Sequence, residues 1–240
     1  TVAEKFFRFH QTLFISHQSF NMCGRYTLHT QNQILAEAIA LALPGAYAPD
    51  YNIGPGQKAL SIATRDKVQA VATMMHWGLR TPQNFHINAR IETADTSPRF
   101  RESWYEHRCL LPANGFYEWY QDGITKQPYY IYPKDETLTY FAGLWFPSEG
   151  TDSSPTFVIL TTKALPSVQD IHERMPLILK PEAQAAWLSG DLGKREAQAI
   201  ADEGQLEKCT VSRRVNSVHN KDSRLIEATA PLTDDQMMLF

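Results

Sequence analysis

HRCLLPANGFYEWYQDGITKQPYYIYPKDETLTYFAGLWF, residues 107–146, decides the fold class. Within it the runs 107–112, 115–120, 128–132 and 138–146 are short, rich in aromatic and β-branched residues, and separated by Pro, Gly, Asn and Asp, which is the composition of strands joined by turns. Asp122-Gly123 is the clearest hairpin signal, because an Asp-Gly pair accepts the positive backbone angles of a tight turn. Working outward, 57–64, 68–77 and 156–162 carry the same signature, so the middle of the chain is predicted to be mainly antiparallel sheet. Helical spacing is confined to the flanks. Thr30 followed by Gln33 has the capping-box pattern, and Ile34, Leu35, Ala38, Ile39 and Leu43 recur at helical spacing up to Pro44-Gly45. Two later helices are expected, over 181–189 between Pro181 and Gly190, and over 191–203 from Asp191 to Gly204. The basic segment from Ser212 to Arg224 reads as a final loop and strand that return to the main body. The expected fold class is therefore α+β, a curved, mainly antiparallel sheet or open barrel with flanking helices. Residues 23–240 are expected to form it as one domain behind an N-terminal extension, 1–22.

The 240 residues are 43% hydrophobic and carry a net charge of −3. That composition provides for a real core, excludes a disordered chain, and denies the molecule the overall basic excess that advertises a nucleic-acid binder. Any nucleic-acid surface must be local. The cysteines are Cys23, Cys109 and Cys209; none forms a CxxC pair or lies near histidines at ligand spacing, so no disulfide framework and no metal is expected. Reduced thiols suit a cytoplasmic protein, nucleoid-associated if it binds DNA. No apolar run approaches the roughly 20 residues of a membrane span. Residues 1–22 are aromatic-rich and lack the apolar stretch of a secretory signal. They read either as a pro-segment or as sequence upstream of a natural start at Met22, and the second reading is preferred.

If Met22 initiates translation, its removal leaves Cys23 with a free amine and a free thiol, whose reference pKa values are about 7.7–8.0 and 8.5. Such a 1,2-aminothiol condenses with an aldehyde to an imine, and the thiol then closes a five-membered thiazolidine. An isolated Met-Cys is ordinarily a buried cysteine, so the case depends on its company. Asn88 and Arg90 in Ile87-Asn88-Ala89-Arg90-Ile91 stand two residues apart and share one side of an extended segment. Glu118 sits inside the aromatic strand Gly115-Phe116-Tyr117-Glu118-Trp119. It is either a solvated strand residue, a carboxylate paired with a cation, or one raised by desolvation into a general acid/base. His172, between Asp170 and Glu173 and ahead of Arg174, Pro176 and the apolar run 177–179, is a surface residue or a proton shuttle near neutral pH.

Seven segments in order, MCGRYTLHT at 22–30, YNIGPGQ at 51–57, HWGLRTP at 76–82, INARIETA at 87–94, RCLLPANGFYEWY at 108–120, DIHERMPLIL at 170–179 and VSRRVNSVHNKDSRLIE at 211–227, resemble the SOS-response-associated peptidase (SRAP) family, whose members shield abasic sites. The resemblance spans nearly everything from residue 22 onward. It implies a partner, single-stranded DNA containing abasic sites, and a chemistry that needs neither a metal nor an organic cofactor. It also implies roles: Cys23 as the nucleophile that forms a thiazolidine with the ring-opened sugar, Asn88 holding the reacting centre, Glu118 as general acid/base, and His172 assisting proton transfer. Arg25, Arg90 and Arg174 would contact flanking phosphates, and Trp119 would stack on or wedge beside a base. Lyase activity through the amine alone is a further implication, and a monomer is expected. Two features depart from the family pattern. Leu79 to His86 replaces the familiar aromatic-containing stretch, with Phe85 or His86 as substitutes for stacking, and residues 1–22 turn the amine of Cys23 into an amide that cannot form an imine. Two rival readings stay open: a thiol peptidase that cleaves the Met22-Cys23 bond itself, and a non-catalytic single-strand-binding module with salt-sensitive affinity.

Overall fold

The computed structural model describes residues 24–231 apart from 66, 123–124, 136, 149–153 and 202–204. In chain order the elements are β1 (Arg25–Leu28), α1 (Asn32–Ile39), β2 (Asp50–Ile53), β3 (Lys58–Arg65), β4 (Gln69–Trp77), β5 (Leu79–Arg80), β6 (Phe85–His86), β7 (Asn88–Arg90), α2 (Ile91–Ala94), α3 (Arg101–Glu106) and β8 (Arg108–Ala113). There follow β9 (Gly115–Asp122), β10 (Thr125–Pro133), β11 (Thr139–Phe146), β12 (Thr156–Lys163), β13 (Arg174–Pro176), α4 (Pro181–Ser189), α5 (Lys194–Ala201) and β14 (Leu206–Thr210). Two 3-10 turns, 213–216 and 223–225, close the described part.

The strands form two large sheets and a two-stranded ribbon. The five-stranded sheet runs β14-β10-β9-β1-β2, antiparallel throughout. The seven-stranded sheet runs β11-β8-β3-β4-β12-β13 and curls until β11 also pairs with β12; β7 joins it alongside β12. Only the β12 pairings with β4 and β7 are parallel among the described ladders.

Alternation along the strands builds three apolar layers, since successive side chains leave opposite faces. Tyr26, Phe116 and Ile131 from the smaller sheet meet Trp77, Leu111, Phe141, Phe157 and Ile159 from the larger one in a core between the sheets. Leu110, Ala142, Val158 and Leu160, one register step away on the larger sheet, turn instead toward Ile91, Trp104, Trp187 and Ala197 of the helices. Tyr117 and Tyr130 face outward beneath Val211, Val215 and Leu225. The fold is α+β and mainly antiparallel, as expected, though divided between two sheets.

The seven expected strands are present within a few residues, and the β9–β10 hairpin pairs Asp122 with Thr125, while Gly123 lies outside the described residues. α4 begins with Pro181 at its first turn and ends at Gly190 in the left-handed conformation (φ 92°), where a glycine carries no Cβ penalty. Three expectations need correction. The first helix starts at Asn32, because the Thr30 hydroxyl donates to Asn114 Oδ1 (3.2 Å) instead of capping, and it stops at Ile39, where Ala40 turns left-handed (φ 52°), so Leu43 lies beyond it. α5 starts at Lys194: Glu196 accepts the Gly193 N–H (2.7 Å), whereas Asp191 accepts the Ser189 hydroxyl (2.6 Å). Its expected end at Gly204 lies outside the described residues. The 212–224 segment forms the two 3-10 turns, and the last described strand, β14, precedes it.

Candidate active site

Glu118 lies on β9, where it shares the inward face with Phe116, while Tyr117 and Trp119 take the outward one. Only 4% of it is exposed. The solvated reading of this carboxylate is therefore excluded by its burial. β9 carries it because both neighbours pair along the strand: β1 places Arg25 opposite Tyr117, and β10 places Tyr129 opposite Glu118. The chain thus enters β1 from Gly24 beside the stretch that bears Glu118.

Asn88 and Arg90 lie on β7, opposite Ile159 and Thr161 of β12, with Ala89 opposite Leu160. Since Ile159 belongs to the core between the sheets and Leu160 to the helix side, Asn88 and Arg90 share the face turned toward the smaller sheet, as their two-residue spacing predicts. Buried Trp77 fixes this strand by donating from Nε1 to the Ile87 carbonyl (2.9 Å). The Arg90 side chain is exposed.

His172 is half-buried just ahead of β13, and its Nδ1 accepts the backbone N–H of Arg174 (3.0 Å). An acceptor at Nδ1 puts the proton of the neutral ring on Nε2. Desolvation holds the imidazole below its ordinary pKa against the opposing pull of Glu173. Arg174 is held in turn: Nη1 and Nη2 form a two-pronged pair with Glu92 (2.7 and 2.8 Å), and Nη2 also reaches the carbonyl and hydroxyl of Thr161 (2.6 and 3.2 Å). Thr161 is also the register partner of Arg90, so Asn88, Arg90, Glu92, His172 and Arg174 form one neighbourhood around β12. A phosphate would have to replace Glu92 to bind the Nη atoms of Arg174.

A second neighbourhood lies on the outward face of the smaller sheet, the side opposite Glu118. Arg25 is half-buried, its Nη1 donates to the Gly24 carbonyl (2.7 Å), and burial pulls its pKa down. Trp119 donates from Nε1 to Asn216 Oδ1 (2.9 Å), which pins the indole edge and leaves stacking to its faces. Cys23 lies outside the described residues. Cys109 is fully buried and Cys209 half-buried; desolvation raises both thiols, as befits structural cysteines. Phe85 packs over Gly78 with the Arg80 guanidinium 4.7 Å from its ring centroid, and His86 meets the edge of Phe100, so both substitutes proposed for stacking are engaged within the protein. Among the described residues no three of His, Cys, Asp and Glu gather to hold a metal ion, and no helix is long and apolar enough to cross a membrane. Glu92, Thr161, Asn52 and Asn216 were not singled out from the sequence. Glu92 stands two residues beyond Arg90 within INARIETA, the one signal that pointed toward it.

A buried carboxylate on β9 and an amide on β7, each on the face turned toward the other sheet, put polar groups between two β-sheets, with an imidazole just ahead of β13. The chain belongs to the SOS response associated peptidase (SRAP) family, which it matches over residues 22–218. It is 34% identical over 226 residues to the abasic site processing protein YedK of Escherichia coli K12, covering 86% of this chain and 99% of that protein. It is 35% identical over 224 residues to the abasic site processing protein YoqW of Bacillus subtilis, covering 86% and 100%. Among solved structures, a Bacteroides thetaiotaomicron protein superposes with a TM-score of 0.72 at 23% identity, over 87% of this chain and all of that one. A phage-related protein of Bordetella bronchiseptica does so with a TM-score of 0.63 at 29% identity, over 80% and 95%.

Proposed function

We propose that this protein captures abasic sites in single-stranded DNA by a covalent bond to Cys23 at the head of the mature chain. The observation that carries the reading is the burial of Glu118 on the inward face of β9, facing the sheet that carries Asn88. Relatives named as abasic site processing proteins at 34% and 35% identity support the choice of lesion. The amine of Cys23 attacks the aldehyde carbon of the ring-opened sugar, and the carbinolamine loses water to give the imine. The thiolate then adds to the imine carbon while a proton goes to nitrogen, so the thiazolidine forms with the net loss of one water. Glu118 donates and accepts the protons of ring opening and dehydration. Asn88 holds the sugar oxygen by its amide, and His172 presents Nε2–H to the developing hydroxyl. Arg25 and Arg90 meet the flanking phosphates, Trp119 offers an indole face to a base, and Arg174 joins them only by exchanging Glu92 for phosphate. A cationic groove with aromatic platforms binds single strands in this way despite a net-negative chain.

Incubating protein that begins at Cys23 with a single strand bearing an abasic site should yield a heat-stable adduct on denaturing gels. Cys23→Ala should abolish it, and so should one extra residue before Cys23, which leaves the thiol intact. A Cys23→Ala protein that crosslinks like its parent removes Cys23 as nucleophile. Salt-sensitive binding without any adduct favours the non-catalytic module, and spontaneous loss of residues 1–22 from the purified full chain favours self-processing.

A further inference from the structure

The loop between β14 and the second 3-10 turn lies over the outward face of the smaller sheet, and one amide holds its shape. Asn52 of β2 is completely buried. Its Nδ2 donates to the carbonyls of Val215 (3.2 Å), Ser217 (2.9 Å) and Asn220 (3.1 Å). Three carbonyls converging on one group fix which end of the amide is nitrogen, because the oxygen would be repelled there. Lys221 clamps the far end of the loop to the same strand: its Nζ donates to Asp50 Oδ2 (2.6 Å), the Asn52 carbonyl (2.5 Å) and Gln57 Oε1 (3.0 Å). The loop has no sheet ladder of its own, so these bonds take the place of one for its carbonyls.

Both groups assigned to DNA on this side of the sheet lean on the loop. Asn216, between two of the carbonyls that Asn52 holds, accepts from the Trp119 indole (2.9 Å). Val218 packs against Gly54, and Gly54 also faces the Arg25 guanidinium: a Cβ there would lie 3.1 Å from Val218 Cγ1 and 3.3 Å from Arg25 Cζ. The absence of a side chain at residue 54 lets the guanidinium and the loop close on the same point.

We infer that Asn52 is a positioning residue of the DNA-binding surface, fixing the 213–220 loop and through it the indole of Trp119 and the guanidinium of Arg25. The inference rests on the reading that these two side chains meet the strand. Asn52 itself, being buried, touches no DNA. Its loss leaves Glu118, Asn88 and His172 in place and loosens the two binding groups.

The test measures non-covalent binding of the full 240-residue chain to a short fluorescein-labelled single strand carrying a tetrahydrofuran abasic analogue, which has no aldehyde. Asn52→Ala should weaken binding about tenfold, the scale of one lost stacking platform, and should lower the salt slope of binding by about one as the Arg25 contact is lost. Adding Trp119→Ala should then cost little more, since the two substitutions remove one shared contact. Asn216→Ala changes only an exposed side chain; it should weaken binding in the same direction and have no effect in a Trp119→Ala background. A folded Asn52→Ala protein with the parent's affinity and salt slope, or one whose effect simply adds to that of Trp119→Ala, overturns the inference. Should Asn52→Ala fail to fold, Asn216→Ala decides, and parental affinity in that variant overturns the role of the loop. A parent chain that does not bind the analogue strand overturns the inference, and the proposed function falls with it only if protein beginning at Cys23 also forms no adduct with the aldehyde-bearing strand.

Discussion

Glu118 shows how one strand position acquires the setting for its proposed role. Its neighbours Phe116 and Tyr117 are both fully packed, in different layers, so the alternation that buries them carries Glu118 inward, where it is 4% exposed. A carboxylate so placed is available for proton transfer where general acid/base catalysis contributes typically about 10²–10⁴-fold. Glu118→Gln keeps the shape and removes the titration; adduct formation by protein beginning at Cys23 should slow on the order of 10²-fold. If the amine acting alone also permits β-elimination, strand cleavage at the lesion should fall in the same variant. Crosslinking and cleavage that persist undiminished in timed denaturing-gel assays would remove Glu118 from the mechanism. The fourfold engagement of Arg174 is the opposite case: the family resemblance implies a phosphate contact, whereas its surroundings tie it to Glu92 and Thr161.

At the scale of the elements, one guanidinium adds to the apolar layer that holds α3 and α4 on the larger sheet. Arg108, the first residue of β8 and 5% exposed, lies between the indoles of Trp104 on α3 and Trp187 on α4, at 4.6 and 4.4 Å from their rings. Its Nε donates to the Trp104 carbonyl (2.8 Å) and its Nη1 to the Leu192 carbonyl (2.7 Å). Burial pulls its pKa down to about 10, which still leaves it charged at neutral pH. Arg108→Ala would strip packing from two indoles and leave both carbonyls short of a donor, a loss of about 3 kcal/mol in denaturant unfolding. A change below about 1 kcal/mol would mean that this cation contributes little to helix docking. Elements of this size were legible in the residues: strands of eight or nine residues show their alternation, and α4 shows its proline and glycine ends. β5, β6, β7 and β13, of two or three residues each, are too short to display a period; β7 and β13 exist because the longer β12 offers them an edge, and β5 and β6 because they pair with each other.

For the whole molecule, pH is the variable that reaches most of these contacts together. His29, His86, His107 and His172 are each held below the ordinary imidazole pKa, chiefly by burial. Their neutral forms are favoured by folding, so the associated stability is complete above the unfolded value of about 6.5 and is lost as pH falls toward the lower folded values. Glu92, whose carboxyl is lowered by Arg174 against the cost of its own burial, belongs to a separate window: its contribution is present above the ordinary carboxylate value of about 4.3 and is lost below it. Calorimetry should show the Tm falling by about 5 °C between about pH 7.5 and pH 5. A Tm that stays level across that range would mean that the four rings are not buried as neutral groups. The amino-acid sequence by itself determined the class of fold, most of the long strands and the family, because composition, alternation and the order of motifs are properties of neighbours along the chain. Only the tertiary structure decided that Glu118 is buried, that Asn88 and Arg90 share the β7 face turned toward the smaller sheet, that Glu92 occupies Arg174, and that Asn52 holds the loop that meets Trp119. Those facts depend on which sheet lies over which face, and the energy that chooses the pairing comes from burying apolar residues as far apart as Tyr26 and Phe141 against each other.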